Sequence, residues 1–204
     1  MFNVIETFVS IDGEGPTSGE LATFIRFSSC NLKCIWCDTT YSWDGTACIT
    51  KMSTKEIYEL IKKAGTKNVT LTGGEPLIQK DIDKLIDRLI TETDCRIEIE
   101  TNGTISIEKW DGYYNNLSFT LDYKLPGSGV PHFVHTKNYG YLSEEDTVKF
   151  VCSNEEDLDV AREVIEKYSL GEKCNVFLSP VFGKIEPSEI VDYMMKHRMN
   201  GVRH

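Results

Sequence analysis

The sequence predicts an α/β fold made mainly of parallel strands, in the form of a shortened, partial (β/α)6-type barrel. Short apolar segments of extended type alternate with segments whose apolar residues recur at helical spacing. About six strands are predicted, which is too few for a closed eightfold barrel. Polar side chains directly follow several of these strands, as in folds whose sites lie at the carboxyl ends of parallel strands.

Each element has a local signal in the sequence. Apolar or alternating segments predict strands over 21–27, 68–72, 96–100, 117–122, 147–152 and 174–179. Helices are predicted after the capping box Ser53-x-x-Glu56, over 80–93, after Ser153 with Glu156, and over 189–198 after Pro187. The length of 204 residues fits one domain, and we expect a single domain over 1–204.

The charge and hydropathy of the chain exclude several classes of protein. The formal net charge is −10, which disfavours direct nucleic-acid binding because phosphate recognition needs clustered Lys and Arg. No apolar run is long enough to span a membrane, and the N-terminal segment lacks the features of a signal peptide. We therefore expect a cytoplasmic protein whose seven cysteines are thiols or metal ligands rather than disulfides.

Cys30, Cys34 and Cys37 lie on one predicted loop with the spacing C-x3-C-x2-C. Three thiolates on a short loop suit a [4Fe-4S] cluster, and they leave one iron open to chelate S-adenosylmethionine (SAM). Electron transfer from such a cluster would cleave the sulfonium of SAM and give a 5′-deoxyadenosyl radical. The alternative is a zinc-stabilised binding module, but zinc normally takes four ligands and only Cys48 lies near this loop as a fourth.

A second motif, Thr72-Gly-Gly-Glu-Pro76, ends a predicted strand. Its two glycines permit a close backbone approach to a ligand, and its glutamate can accept a hydrogen bond from a ligand ammonium group. A plain strand-to-helix turn explains the same residues when they are considered alone. A possible H-x2-H pair at His132 and His135 is a weak metal signal, because its loop has no nearby carboxylate.

The cysteine spacing and the GGEP turn resemble the radical SAM superfamily, whose barrel matches the predicted fold. The ordered segments SIDGEG (10–15), FIR (24–26), CNLKCIWCDT (30–39), ETNG (100–103), KLPGSG (124–129), KFV (149–151) and LSPVFG (178–183) narrow this resemblance to the 7-carboxy-7-deazaguanine synthase family. The resemblance implies a lyase that converts 6-carboxy-5,6,7,8-tetrahydropterin to 7-carboxy-7-deazaguanine by radical ring contraction with loss of ammonia. Its product feeds 7-deazapurine synthesis, usually toward queuosine in tRNA.

The resemblance also implies cofactors, partners and site residues. The cofactors are the [4Fe-4S] cluster, SAM and Mg2+, and the partners are the pterin, a flavodoxin- or ferredoxin-like electron donor and a second copy of the chain. The implied substrate-binding residues are Ile11, Asp12, Gly13, Glu14, Arg26 and Thr72. The implied SAM-binding residues are Trp36, Cys37, Asp38, Gly74, Glu75, Asn102, Asp122, Tyr123, Lys124, Ser179, Pro180, Val181 and Phe182. The resemblance further implies that Cys30, Cys34 and Cys37 hold the cluster and that Thr39 is a ligand of Mg2+.

Three features depart from the family pattern. Asp12 stands where the family usually has Gln, and Asp122-Tyr123 stands where many members have Ser-Pro. The chain ends at His204, whereas relatives continue with another strand and a tail, so we expect the family's C-terminal tail to be missing. An activase of glycyl-radical enzymes, from the same superfamily, is an alternative because activases share the opening Ser-Ile-Asp-Gly.

Overall fold

A computed structural model describes residues 1–112, 116–130 and 134–204. The chain divides into two compact units. The first comprises Met1–Leu32, Asp38–Thr101 and Gly112–Thr120, and the second comprises Lys33–Cys37, Asn102–Asp111 and Leu121–His204. The cysteine loop therefore contributes residues to both units.

The first unit is a mixed sheet with two helices. Its strands are β1 (Phe2–Ile11), β2 (Leu21–Phe27), β3 (Thr50–Met52), β4 (Asn68–Gly73), β5 (Arg96–Thr101) and the start of β6 (Leu117–Tyr123), and its helices are α1 (Thr54–Ala64) and α2 (Ile82–Glu92). The strand order is β3-β1-β2-β4-β5-β6. β1 pairs antiparallel with β2 and β3, whereas β2, β4 and β5 are parallel.

The second unit is a parallel sheet covered by helices. It contains the end of β6, then β7 (Thr147–Cys152), α3 (Glu155–Tyr168), α4 (Leu170–Lys173), β8 (Asn175–Pro180), α5 (Pro187–His197) and β9 (Val202–Arg203). β8 pairs in parallel with both β7 and β9. Its buried core includes Phe150 of β7, Leu178 of β8 and Leu158 and Ala161 of α3.

Local sequence signals explain the helices. The capping box at α1 is confirmed: Ser53 Oγ accepts from the Glu56 amide at 3.2 Å, and the Ser53 amide donates to Glu56 Oε2 at 2.7 Å. Gly65 ends α1 in the left-handed region at φ 70°. No helix in the described part of the chain is long and apolar enough to cross a membrane.

All six predicted strands and all four predicted helices are present, and the α/β prediction is confirmed. β1, β3, α4 and β9 were not predicted; a register shift between Val4 and Glu6 disrupts the alternation along β1 that would have identified it. The helix cap predicted at Ser153 was wrong by one residue. Asn154 is the N-cap, and its side chain accepts from the Asp157 amide at 2.9 Å.

The ends of β2 and β4 approach each other so closely that only glycine fits at two positions. A Cβ on Gly73 would overlap the Phe27 carbonyl oxygen and lie 2.5 Å from the Phe27 nitrogen. A Cβ on Gly74 would overlap the Ser29 carbonyl oxygen and lie 2.5 Å from its carbonyl carbon. Gly73 is also at φ 118°, a conformation that other residues rarely adopt.

We expect Gly73→Ala to lower the free energy of unfolding by about 3 kcal/mol or more, because strain at positive φ adds to overpacking against backbone atoms. Gly65→Ala is the matched control, since Gly65 has φ 70° and a Cβ added there would meet nothing within 4 Å. It should lose only about 1–2 kcal/mol. Urea denaturation measures both values, and equal losses would contradict the proposed overlap.

Candidate active site

The segment that enters the cysteine loop is tied to the GGEP turn by backbone hydrogen bonds. The Gly74 amide donates to the Phe27 carbonyl at 3.0 Å, and the Glu75 amide donates to the Ser29 carbonyl at 2.9 Å. Ser29 has φ 74°, and its own amide donates to the Ser42 carbonyl at 2.6 Å. The backbone before Cys30 is therefore held from two sides.

The donor set of the loop suits an iron–sulfur cluster. Cys30, Cys34 and Cys37 are of intermediate exposure, whereas Cys48 is exposed. Iron–sulfur clusters take thiolate ligands, so the chemistry of these side chains fits the group. In the part of the chain that the structure describes, no three Cys, His, Asp or Glu side chains are already gathered as ligands of a metal ion. The assignment of a cluster to these three cysteines therefore rests on their thiol chemistry and on their C-x3-C-x2-C spacing.

The second half of the cysteine loop lies on the turn after Lys124. The Ile35 amide donates to the Ser128 carbonyl at 3.0 Å. A Cβ on Gly127 would lie 2.8 Å from Cη2 of Trp36, so the indole packs directly against this glycine. Trp36, a predicted SAM contact, is thus fixed by packing, whereas Asp38 after it is exposed.

Glu75 has a structural use that the sequence did not reveal. Its side chain is fully buried, and Oε1 accepts from the Leu77 amide at 3.0 Å and from the Thr101 hydroxyl at 2.8 Å. The carboxylate therefore caps the turn after β4 and links it to the end of β5. Its predicted contact with SAM stays a prediction.

Asp12 organises the predicted substrate loop from inside. It is 1% exposed. Its Oδ2 accepts from the Thr70 hydroxyl at 2.9 Å and the Thr17 hydroxyl at 3.2 Å, and its Oδ1 accepts from the Glu14 amide at 3.3 Å. Ile11 and Gly13 on either side are exposed, and Glu14 is partly exposed.

Arg26 is oriented by a glutamate on the neighbouring antiparallel strand. Arg26 Nε donates to Glu6 Oε1 at 2.6 Å, and the Tyr41 hydroxyl donates to the same oxygen at 3.1 Å. Burial raises the pKa of Tyr41, which keeps this donor protonated. Sequence reasoning missed Glu6 because β1 was not predicted.

Thr39, the predicted Mg2+ ligand, begins the turn that carries Tyr41, and its carbonyl accepts from the Ser42 amide at 2.9 Å.

A row of hydroxyls and carboxylates runs across β4, β5 and β6. Thr70 is the register partner of Glu98, and the Thr72 hydroxyl donates to Glu100 Oε2. Glu98 Oε1 accepts from the Thr120 hydroxyl at 2.5 Å, and Glu98 is 3% exposed. Its Oε2 is buried without a hydrogen-bond partner among the described residues. Burial raises the pKa of Glu98 to about 8, despite the Thr120 hydrogen bond, and nearby carboxylates reinforce the increase.

The remaining predicted SAM residues lie at strand ends or just after them in the second unit. Asn102 Oδ1 accepts from the Thr104 amide at 3.1 Å and its hydroxyl at 2.7 Å, which forms a local turn. Lys124 Nζ lies 2.5 Å from Asp122 Oδ2, and the Tyr123 ring packs on Phe150 with centroids 5.3 Å apart. Ser179 and Pro180 end β8, the Val181 amide donates to the Cys152 carbonyl at 2.8 Å, and Phe182 is fully exposed. His132 lies outside the described residues.

Comparison with known proteins first defines the class. Residues 24–122, which include the cysteine loop and the GGEP turn, match the family model of the radical SAM superfamily. The structure is similar to one titled "Crystal structure of QueE from Escherichia coli", with a TM-score of 0.72 and 21% sequence identity. The match covers 97% of this chain and 91% of that one. The chain therefore has the radical SAM fold that the sequence predicted.

Several relatives carry the same name. The chain is 47% identical to 7-carboxy-7-deazaguanine synthase of Clostridium acetobutylicum over 98% of this chain and 91% of that protein. It is 34% identical to the enzyme of that name from Thermoplasma acidophilum, over 88% of this chain and 83% of that protein. The chain belongs to the 7-carboxy-7-deazaguanine synthase family of radical SAM enzymes. These relatives do not favour a glycyl-radical activase or a zinc-stabilised module.

The raised pKa of Glu98 gives stability a defined pH dependence. Between its ordinary value of 4.5 and about 8, Glu98 ionises in the unfolded chain while it stays protonated in the folded protein. The unfolded state then binds fewer protons, so stability falls as pH rises through this window, by up to about 1.4 kcal/mol per pH unit. Glu98→Gln should flatten the slope and be more stable than the parent at pH 8.

Urea denaturation at pH 5.5, 6.5, 7.5 and 8.5 measures this slope. The control is Glu59→Gln, which changes an exposed carboxylate on α1 and should leave the slope as it is in the parent. A Glu98→Gln protein with the parent's pH dependence would show that Glu98 is ionised in the folded state.

Proposed function

We propose that this protein converts 6-carboxy-5,6,7,8-tetrahydropterin to 7-carboxy-7-deazaguanine, with loss of ammonia. The observation that carries the proposal is the backbone link between the C-x3-C-x2-C loop and the GGEP turn. The Glu75 amide and the Ser29 carbonyl, 2.9 Å apart, join the two motifs that a radical SAM site requires. Membership of the family supplies the reaction, and 7-deazapurine synthesis toward queuosine would use the product.

The residues of the cysteine loop and strand ends would hold the cofactors. Cys30, Cys34 and Cys37 would ligate the [4Fe-4S] cluster. When bound, the cluster would supply an electron and SAM would supply the radical chemistry that the reaction needs. The predicted SAM contacts are Trp36, Asp38, Gly74, Glu75, Asn102, Asp122, Tyr123, Lys124, Ser179, Pro180, Val181 and Phe182.

The β1–β2 loop and Arg26 would orient the pterin. Glu14 is partly exposed next to the buried Asp12, so its carboxylate can accept paired hydrogen bonds from the guanidine-like edge of the pterin. The Arg26 guanidinium, held through Nε by Glu6, can pair with the carboxylate of the substrate. Asp12 supports this loop through its hydroxyl partners rather than through exposure to the ligand.

Further features of the proposal follow from the family. Thr39 would provide one oxygen ligand for Mg2+, and the substrate carboxylate and water would provide other oxygen ligands. Residues 1–204 would form a single catalytic domain, since the C. acetobutylicum relative aligns with 98% of the chain. A homodimer in the cytoplasm, reduced by a flavodoxin- or ferredoxin-like donor, completes the proposal.

Anaerobic reconstitution with iron and sulfide, followed by incubation with SAM, Mg2+, a reductant and 6-carboxytetrahydropterin, tests the function. We expect a brown protein that forms 7-carboxy-7-deazaguanine and does not consume SAM in proportion to product. Cys34→Ala should lose the cluster absorption and the activity, whereas Cys48→Ala, which changes an exposed cysteine outside the motif, should retain both. SAM cleavage without any change to the pterin would rule out the substrate.

Thr39→Ala should weaken the stimulation of the reaction by Mg2+, because it removes the proposed oxygen ligand, and should leave cluster assembly intact. Thr40→Ala is a suitable control, since Thr40 is an exposed neighbour on the same turn. Initial rates over a Mg2+ titration give the apparent affinity of each protein. The same Mg2+ dependence in all three proteins would disprove the role of Thr39.

A further inference from the structure

Asp157 is a fully buried carboxylate in the first turn of α3. Its Oδ2 accepts from the Ser153 amide at 2.8 Å and from the Ser153 hydroxyl at 2.6 Å. Its Oδ1 accepts from the Gly127 amide at 2.9 Å. A helix cap needs only the bonds to its own chain segment. The bond to Gly127 instead joins α3 to the turn that follows Lys124.

That turn is in direct contact with the cysteine loop. The Ser128 carbonyl accepts from the Ile35 amide at 3.0 Å, and Gly129 lies against Ile35, whose Cδ1 would be 2.7 Å from an added Cβ. Gly127 is closely packed where a side chain would lie: an added Cβ would be 2.5 Å from Asp157 Oδ2 and 2.8 Å from the Trp36 ring. Asp157 therefore contacts the turn at Gly127. The same turn contacts Ile35 and Trp36, the two residues between Cys34 and Cys37.

We propose that Asp157 is a positioning residue that sets the place of Ile35 and Trp36, and through them the second half of the cysteine loop, for SAM binding. The inference rests on the proposed function, because it assumes that this loop holds the cluster and SAM. Asp157 acts through Gly127 and Ser128 and touches no reacting atom. Its effect comes from a hydrogen-bond geometry that only two acceptor oxygens can satisfy.

Replacing Asp157 with asparagine tests whether its hydrogen bonds to Ser153 and to Gly127 are both needed. The asparagine side chain has one acceptor oxygen and one NH2 group. In either orientation the NH2 group faces a backbone N–H donor, that of Ser153 or that of Gly127. Asp157→Asn should therefore release the turn or strain it. We expect the reconstituted protein to bind SAM at least about tenfold more weakly, since small displacements at an active site cost large factors. The SAM-dependent change in the electron paramagnetic resonance spectrum of the reduced cluster should weaken in parallel.

Asn154→Ala is the matched control for loss of helix stability. Asn154 caps the same helix by accepting from the Asp157 amide at 2.9 Å, but none of its described hydrogen bonds reaches Gly127. Both variants should lower Tm by about 2–4 °C. Only Asp157→Asn should change SAM affinity, measured well below Tm. Equal SAM affinity in the two variants would overturn the proposal.

Hydrogen exchange on the reconstituted parent protein tests the same coupling without a variant. SAM should slow exchange at the Gly127 and Ile35 amides by about tenfold or more, and unchanged exchange there would overturn the proposal even if Asp157→Asn fails to fold. A parent protein that binds and cleaves SAM but leaves the pterin unchanged would refute the proposed substrate alone. The comparison of SAM affinities would still decide the role of Asp157.

Discussion

The contact between the ends of β2 and β4 is the constraint on which the candidate site depends. The parallel register of β2 and β4 brings Phe27 beside Gly73. Beyond this pair, the Gly74 amide donates to the Phe27 carbonyl and the Glu75 amide donates to the Ser29 carbonyl. Side chains at either glycine would overlap backbone atoms, so the approach is possible only without a Cβ. This contact fixes the backbone immediately before Cys30, and the cysteine loop begins from a rigid position.

A second constraint is the group of carboxylates on β5 and in the loop after β1, all in the first unit. Asp12, Glu98 and Glu100 each accept a hydrogen bond from a threonine hydroxyl, and these donors lie on β4 and β6. Hydroxyls relieve part of the cost of burying these groups but bring no positive charge, so one carboxyl is best kept protonated. The raised pKa of Glu98 is the consequence. The charge of this one buried group therefore depends on pH.

Most helices and strands could be predicted because the sequence signals for these elements are local. The Ser53 capping box, the apolar face of α2 and the strand before the GGEP turn each need only a short window of sequence, and the structure has them all. β1 was missed because a register shift breaks its alternation, and Glu6 was missed with it. The sequence also assigned the glycines of the GGEP turn to ligand approach, whereas backbone packing already requires them. Such long-range contacts leave no periodic signal.

The same distinction bears on what the family motifs mean in physical terms. Glu75 and Asp12 belong to motifs that the resemblance assigns to ligands, yet each is buried and satisfies donors of its own fold. A residue can be required at a site because it shapes the loop that carries the contacts, and then its substitution acts through geometry. Asp157 extends this reasoning beyond the motifs. It lies far along the sequence from the cysteines, and two hydrogen-bonded connections, through Gly127 and Ser128, relate it to Ile35.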